Sequence, residues 1–286
     1  MSKENLIVCG CSFTKGHFLP ETETWGGYVA KKLNLKLHNI AIGGMGNEFI
    51  TTQTMSYFLN NQELLKNSIV MIAWTETTRL TGTFENSDGY LDRVTIRPQD
   101  FIDAESGNHL RSFWPNDQTK YHGYVKNNHK YIRRFFSSFS YCVYKTYYSI
   151  YVLKQYLESN NIPYVFFDAI NTSKLESIEI VNKNINPFAY KLKWIGNDGR
   201  PEEIEEQIPE WMTDGFLNDK VESLIFDNSN YITFNGVTML RNMFMNDYTK
   251  LTEGNPGHPN SIASDIYSDL IINEFKKIYN ETDIIY

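Results

Sequence analysis

The chain has few cysteines, no excess of basic charge and no long apolar run. Three cysteines in 286 residues cannot build a disulfide framework, so a reducing compartment is expected. Cys9 and Cys11 lie two apart on an apolar run and are expected to share one face of a strand as small core residues. Their spacing is not that of a zinc knuckle and no Cys/His pairs accompany it, so no metal is expected. Lys and Arg number 27 against 34 Asp and Glu, a formal net charge of −7. That balance argues against a phosphate backbone as partner, which takes clustered cations. The one basic cluster, residues 130–134, reads as a solvated helix face. No apolar run approaches the roughly 18 residues of a membrane span, and the opening Met1-Ser2-Lys3-Glu4-Asn5 has no leader pattern. A cytoplasmic protein without nucleic-acid or membrane partners is the expectation.

What the chain does have is aromatic surface: 15% Phe, Trp and Tyr within an otherwise ordinary 41% hydrophobic composition. The excess reads as packing in core and insertions, or as walls for sugar rings or acyl groups. The organising stretch is Leu6-Ile7-Val8-Cys9-Gly10-Cys11-Ser12-Phe13-Thr14-Lys15-Gly16. Its apolar run predicts a buried strand. Ser12 then falls where the strand's C-terminal end opens into a loop, the edge at which open α/β sheets bind ligands. A serine there is either a nucleophile, if a base reaches it, or a helix cap.

Further along, the patterns predict a helix from Trp25 to Leu33, a strand over 35–42, a glycine turn at 43–47 and a helix over 48–59. A fully apolar strand over 68–74 follows. Strand–helix–strand–helix–strand in about 75 residues predicts a parallel sheet with crossover helices. Residues 83–133 are polar and turn-rich, with His109, His122 and His129, and read as an insertion over the C-terminal edge of the sheet. A long aromatic helix over 135–158, a strand over 163–168, an irregular second insertion over 171–248 and a C-terminal helix over 261–279 complete the chain. The second insertion carries an acidic run at 202–206 and is expected to hold short helices near 221–226 and 238–245.

The other informative stretch is Gly254-Asn255-Pro256-Gly257-His258-Pro259-Asn260. A histidine set between Gly and Pro is held rigidly. Acyl transfer takes a nucleophile, a base and oxyanion donors. Ser12 offers the first, His258 the second, and the turn at Gly43 and Gly44 lets backbone N–H groups approach a substrate.

With these residues the chain resembles the SGNH hydrolases, the GDSL esterase/lipase superfamily. Gly10-Cys11-Ser12-Phe13-Thr14 matches the first block, with Cys in place of the usual Asp. Asn39-Ile40-Ala41-Ile42-Gly43-Gly44 matches the second, and Asn255-Pro256-Gly257-His258-Pro259 the last. The Gly-Cys-Ser-Phe-Thr opening, with Trp-Thr after the third strand, is similar to members encoded by bacteriophages. The resemblance implies a three-layer α/β/α sandwich with a flavodoxin-like parallel sheet, one domain over residues 1–286 with insertions at about 83–133 and 171–248. It implies a serine esterase acting on a small-molecule or glycan ester, such as an O-acetyl group, with no cofactor, and Gly44 as an oxyanion donor.

Two further departures from the family pattern bear on the chemistry. Trp74-Thr75-Glu76-Thr77-Thr78-Arg79 stands where a Gly-x-Asn-Asp block belongs. This leaves Thr75, through its hydroxyl, or Asn47, from the neighbouring loop, as the side-chain donor. Glu76 is expected to point away from the site, and Arg79 to pair with a carboxylate or bind an anion. Asn255 stands where the triad acid belongs. An amide there can accept from the imidazole Nδ1–H but cannot stabilise the imidazolium; the corresponding change costs a serine protease about 10⁴ in turnover. A Ser–His dyad, or Asp247 or Glu253 standing in, are the ways to keep activity. The rival expectation is a catalytically degraded module of the same fold that binds carbohydrate or serves as a structural, virion-associated part. A nucleotide-binding role is disfavoured because the first loop lacks the Ser, Thr and Gly density that cradles a phosphate.

Overall fold

The computed structural model describes residues 3–77, 79–85, 91–96, 139–170, 177–182, 186–195, 201–208, 219–226, 229–255 and 257–279. In chain order the strands are β1 (Asn5–Cys9), β2 (Lys36–Asn39), β3 (Ser68–Trp74), β4 (Leu80–Glu85), β5 (Leu91–Ile96), β6 (Tyr164–Asp168), β7 (Ser177–Asn182), β8 (Asn186–Ile195), β9 (Pro201–Gln207) and β10 (Tyr231–Ile232). The helices are α1 (Ser12–Lys15), α2 (Trp25–Leu33), α3 (Asn47–Asn60), α4 (Phe139–Ser159), α5 (Asp219–Phe226), α6 (Met239–Asn246), α7 (Tyr248–Leu251) and α8 (Ser261–Ile278).

Five strands form one sheet in the order β10-β6-β3-β1-β2, every pairing parallel. Ranked by chain position this is 2-1-3-4-5, the flavodoxin-like order. The central strands are apolar along their whole length because both faces are covered. Leu6, Val8, Ile69, Met71, Ala73, Val165 and Phe167 point into one core, with Trp25 and Val29 of α2 and Tyr267, Ile271 and Phe275 of α8. Ile7, Cys9, Val70, Ile72, Trp74, Tyr164 and Phe166 point into the other, with Ile50 and Phe58 of α3 and Val143, Tyr147, Ile150 and Leu153 of α4. The period-2 alternation of the strands thus sorts their side chains between two helical layers, giving the α/β/α sandwich the sequence implied.

Local chemistry fixes the helix ends. Thr24 accepts from Gly27 N–H to start α2, and Asn34 ends it at φ 53°. Asn260 accepts from Ala263 N–H to start α8, and Lys276 and Lys277 occupy its last turn, where cations oppose the helix dipole.

Three expectations change. Cys9 and Cys11 lie on opposite sides of the sheet, one in each core. The strand ends at Cys9, and the chain turns at Gly10 before Cys11 caps α1, so strand alternation no longer relates them. β2 stops at Asn39 because the Asn39 amide takes over the backbone's work: Oδ1 accepts from Ala41 N–H and Nδ2 donates to Thr14 O. The second insertion is not simply irregular, for it holds the antiparallel sheet β7-β8-β9. The acidic run is β9, in register with the lysines of β8, Lys191 opposite Glu205 and Lys193 opposite Glu203. Of the first insertion, the described part is the antiparallel hairpin β4–β5. His109, His122, His129 and the basic cluster at 130–134 lie outside the described residues.

Candidate active site

β1 delivers its C-terminal end between β2 and β3, near the middle of the sheet. Gly10 and Cys11 turn the chain there, and Ser12 opens the single-turn helix α1, which ends on Gly16 in the left-handed region. As the first helical residue, Ser12 has a backbone N–H with no intrahelical acceptor. Its side chain is half-buried and faces the loop between α7 and α8.

That loop is held from within. Asn260 Nδ2 donates to Lys250 O at 2.7 Å and to Glu253 O at 3.3 Å, while its Oδ1 caps α8. His258 N–H donates to Asn255 O at 3.0 Å. The result is His258 Nε2 at 2.9 Å from Ser12 Oγ. With its proton on Nδ1, the imidazole accepts the serine hydroxyl proton through Nε2, which is the contact a nucleophile and its general base need. The two residues are separated by 246 positions in sequence, and each is fixed by its own loop rather than by the other.

Asn255 departs from the expected role. It is 2% exposed, and its Nδ2 donates to Pro259 O at 2.9 Å. Its Oδ1 is buried with no hydrogen-bond partner, so it does not accept from the imidazole Nδ1–H. Reversing the amide would set two oxygens against each other at Pro259, which fixes the orientation. Asn255 is a staple of the loop. Of the two carboxylates that could stand in, Asp247 accepts from Lys250 N–H as the cap of α7, and Glu253 is exposed.

The turn over 43–46 borders Ser12. A Cβ added to Gly43 would lie 3.7 Å from Ser12 Cβ. Gly44 has φ +79° and its Cβ direction is open, so this position needs glycine for its backbone. Gly46 runs against the backbone carbonyl of Arg79 and donates to Thr81 Oγ1 at 2.7 Å. Thr81 N–H in turn donates to Glu48 Oε1 at 2.7 Å. Burial pushes the Glu48 carboxyl above its ordinary range, against the opposing effect of the Thr81 N–H. The glycine turn is thereby fastened to the start of the first insertion.

Asn47 and Thr75 face inward instead of toward Ser12. Asn47 is fully buried. Its Oδ1 accepts from Thr75 N–H at 2.9 Å, and its Nδ2 donates to Thr146 Oγ1 at 3.2 Å and Thr75 O at 3.4 Å. No hydrogen remains on that amide for an oxyanion. Thr75 is likewise fully buried, its hydroxyl without a hydrogen-bond partner. Both were expected as side-chain donors, and both instead frame the exit of β3. Glu76 Oε2 pairs with Arg79 Nε at 2.6 Å, so its charge is matched beside the site, and Arg79 takes the loop-holding role.

Two rings that the motifs do not mark neighbour His258. Phe13 lies 5.4 Å away and His17 4.8 Å away, centroid to centroid. The position of His17 just after Gly16, on the turn that closes α1, was the available signal. No group of three or more metal-ligating side chains occurs among the described residues, and none of their helices is long and apolar enough to cross a membrane. Burial pushes the Cys9 thiol up to about 12, so it stays protonated and unreactive.

No protein-family model matches the chain, and no curated protein is similar in sequence. Solved structures are similar in shape. An esterase, EstA, from Pseudoalteromonas sp., inhibited by monoethylphosphonate, is 12% identical with a TM-score of 0.45, over 96% of this chain and 98% of that one. A catalytic mutant of Axe2, an acetylxylan esterase from Geobacillus stearothermophilus, is 10% identical with a TM-score of 0.44, over 96% and 94%. At these identities and scores the likeness bears on neither activity nor substrate.

Proposed function

We propose that this chain is a serine esterase of the SGNH type working through Ser12 and His258. The observation that carries the reading is the 2.9 Å contact between His258 Nε2 and Ser12 Oγ, set at the C-terminal edge of a parallel sheet. Ser12 Oγ attacks the ester carbonyl carbon as its proton passes to His258 Nε2. The tetrahedral oxyanion is met by the backbone N–H groups of Ser12, which opens α1 without an intrahelical acceptor, and of Gly44 on the turn over 43–46. Collapse breaks the C–O bond to the alcohol, which leaves with the proton from Nε2. Water then attacks the acyl-serine with His258 as base, releasing the acid and restoring Ser12. The aromatic richness of the chain favours an ester borne on a glycan, such as an O-acetyl group. No step calls for a metal or organic cofactor.

The test is a fluorophosphonate probe read by intact mass, beside initial rates on acetate esters. One adduct is expected on the parent and none on Ser12→Ala or His258→Ala, with turnover falling about 10³-fold or more in either variant. A folded parent that takes no adduct sinks the proposal.

A second reading is favoured by one observation, the Asn255 amide stapling the loop at Pro259 rather than orienting His258. On it the chain is a non-catalytic module of this fold that binds carbohydrate or serves a structural part of a virion. Glycan binding by a parent that resists the probe, unchanged in Ser12→Ala, is its signature.

A further inference from the structure

Four rings stand in a column beside the serine. Phe13 contacts His258 at 5.4 Å, His258 contacts His17 at 4.8 Å, and His17 contacts Phe18 at 3.9 Å. Phe13 is buried at the inner end and Phe18 is 76% exposed at the outer end. Phe18 also has φ +63°, a conformation that is an outlier for a bulky side chain. The turn imposes it: His17 N–H donates to Ser12 O and Leu19 N–H to Gly16 O, closing the backbone on both sides of Phe18.

Phe18 therefore combines backbone strain with an aromatic face left in water. Among the described residues, its side chain is not part of either core cluster, and its ring contact is with His17. Asn or Gly would hold the same turn at less strain. Strain retained at a position that does nothing for the fold points to a use outside the fold. Two ring contacts separate it from the imidazole that bonds Ser12.

We propose that Phe18, backed by His17, is the platform on which the sugar ring of a glycan ester stacks while its acyl group reaches Ser12. The inference rests on the esterase reading above and supplies its substrate side. An aromatic face carries negative quadrupole density, which attracts the polarised C–H groups on one face of a pyranose. The open exposure of Phe18 suits a ligand that stacks by one face and keeps its hydroxyls in water. A long acyl chain instead calls for an enclosed apolar pocket. Gly44, on the neighbouring turn, leaves open space on its own outer side. The net charge of −7 favours a neutral ring over a phosphorylated one.

The experiment compares kcat/KM for methyl 2,3,4-tri-O-acetyl-β-xylopyranoside with that for ethyl acetate, which has no ring. In Phe18→Ala the ratio of the two is expected to fall about tenfold, while Phe18→Trp holds it within about twofold. Phe18→Gly is expected to lose the ratio equally with Tm unchanged or raised, since glycine accepts the positive φ; this separates lost stacking from misfolding. An unchanged ratio in both Phe18→Ala and Phe18→Gly overturns the proposal. With phenyl acetate run as a third ester, a loss confined to it also overturns the proposal and assigns the platform to aryl esters. Saturation-transfer NMR of the same xyloside on Ser12→Ala, with and without Phe18→Ala, reads the platform without turnover. Transfer to the ring protons that disappears with Phe18 supports the platform even if the parent takes no fluorophosphonate, whereas transfer that persists rejects it.

Discussion

The segments that leave β1 and β3 lie side by side at the same edge of the sheet and handle their polar groups in opposite ways. After β1, the Ser12 hydroxyl meets, among the described residues, one side chain, that of His258, and Phe18 is exposed. After β3, the polar groups turn to one another. Thr75 N–H and O both meet Asn47, Glu76 meets Arg79, and Thr81 meets both Gly46 and Glu48. The first segment keeps reactive atoms available to something outside the chain. The second holds the glycine turn in position for it. The proposed esterase needs both, because a nucleophile is useful only when the surrounding donors do not move.

The sharpest way to break this division is Asn47→Ala. If Asn47 is a strut, removing it leaves Thr75 N–H and Thr146 Oγ1 buried without their partner, and a cavity beside α4. A loss of about 3 kcal/mol in stability is expected, read by urea denaturation, with Ser12 still taking a fluorophosphonate at temperatures where the variant is folded. If stability is untouched and turnover collapses, Asn47 belongs to the reacting atoms after all.

Asn255→Asp is next. On the family pattern a carboxylate here should raise turnover. In this loop it removes the donor to Pro259 O and buries a charge against that carbonyl. The expected result is a loss of about 1–3 kcal/mol in stability with no gain in kcat. A faster enzyme of unchanged stability would mean that the loop can rotate the side chain onto His258, and the staple would then be a secondary role.

What could be read in advance follows from how local each interaction is. β1, β3 and β6 announced themselves as apolar runs because both faces of each are buried. β10 did not, since a two-residue strand has no periodicity to detect. β9 was hidden because its acidic run looks solvated. What makes it a strand is pairing with Lys191 and Lys193 of β8, a cross-strand relation no single segment displays. Ser12 and His258 were legible because glycines and prolines fix the loops around them. The direction in which Asn47 points was not, because its partner Thr146 lies 99 residues away and the same amide serves as donor or strut depending on that contact. His17 and Phe18 carried no periodic signal either. Their meaning lies in the ring column and in a backbone angle, both properties of the folded turn.

The smallest expected effect probes the fastening between the two segments. Glu48 Oε1 accepts from Thr81 N–H at 2.7 Å, yet burial raises the carboxyl's pKa above its ordinary 4.5. A folded-state pKa above the unfolded one means that the folded chain binds the extra proton more readily. Glu48 therefore supports the fold fully below about pH 4.5, and that support fades as pH rises through the raised value. Glu48→Gln keeps an acceptor for Thr81 and never ionises. Its Tm should match the parent near pH 4 and exceed it by about 2 °C or less at pH 7. Glu48→Ala removes the acceptor and should fall below the parent at both pH values. If Gln lowers Tm at pH 7, the ionised carboxylate itself is holding the segment, with Lys145, whose charge acts on it, as the partner to mutate. The fastening of the glycine turn would then be electrostatic and should weaken with salt, whereas a neutral hydrogen-bonded clamp should not.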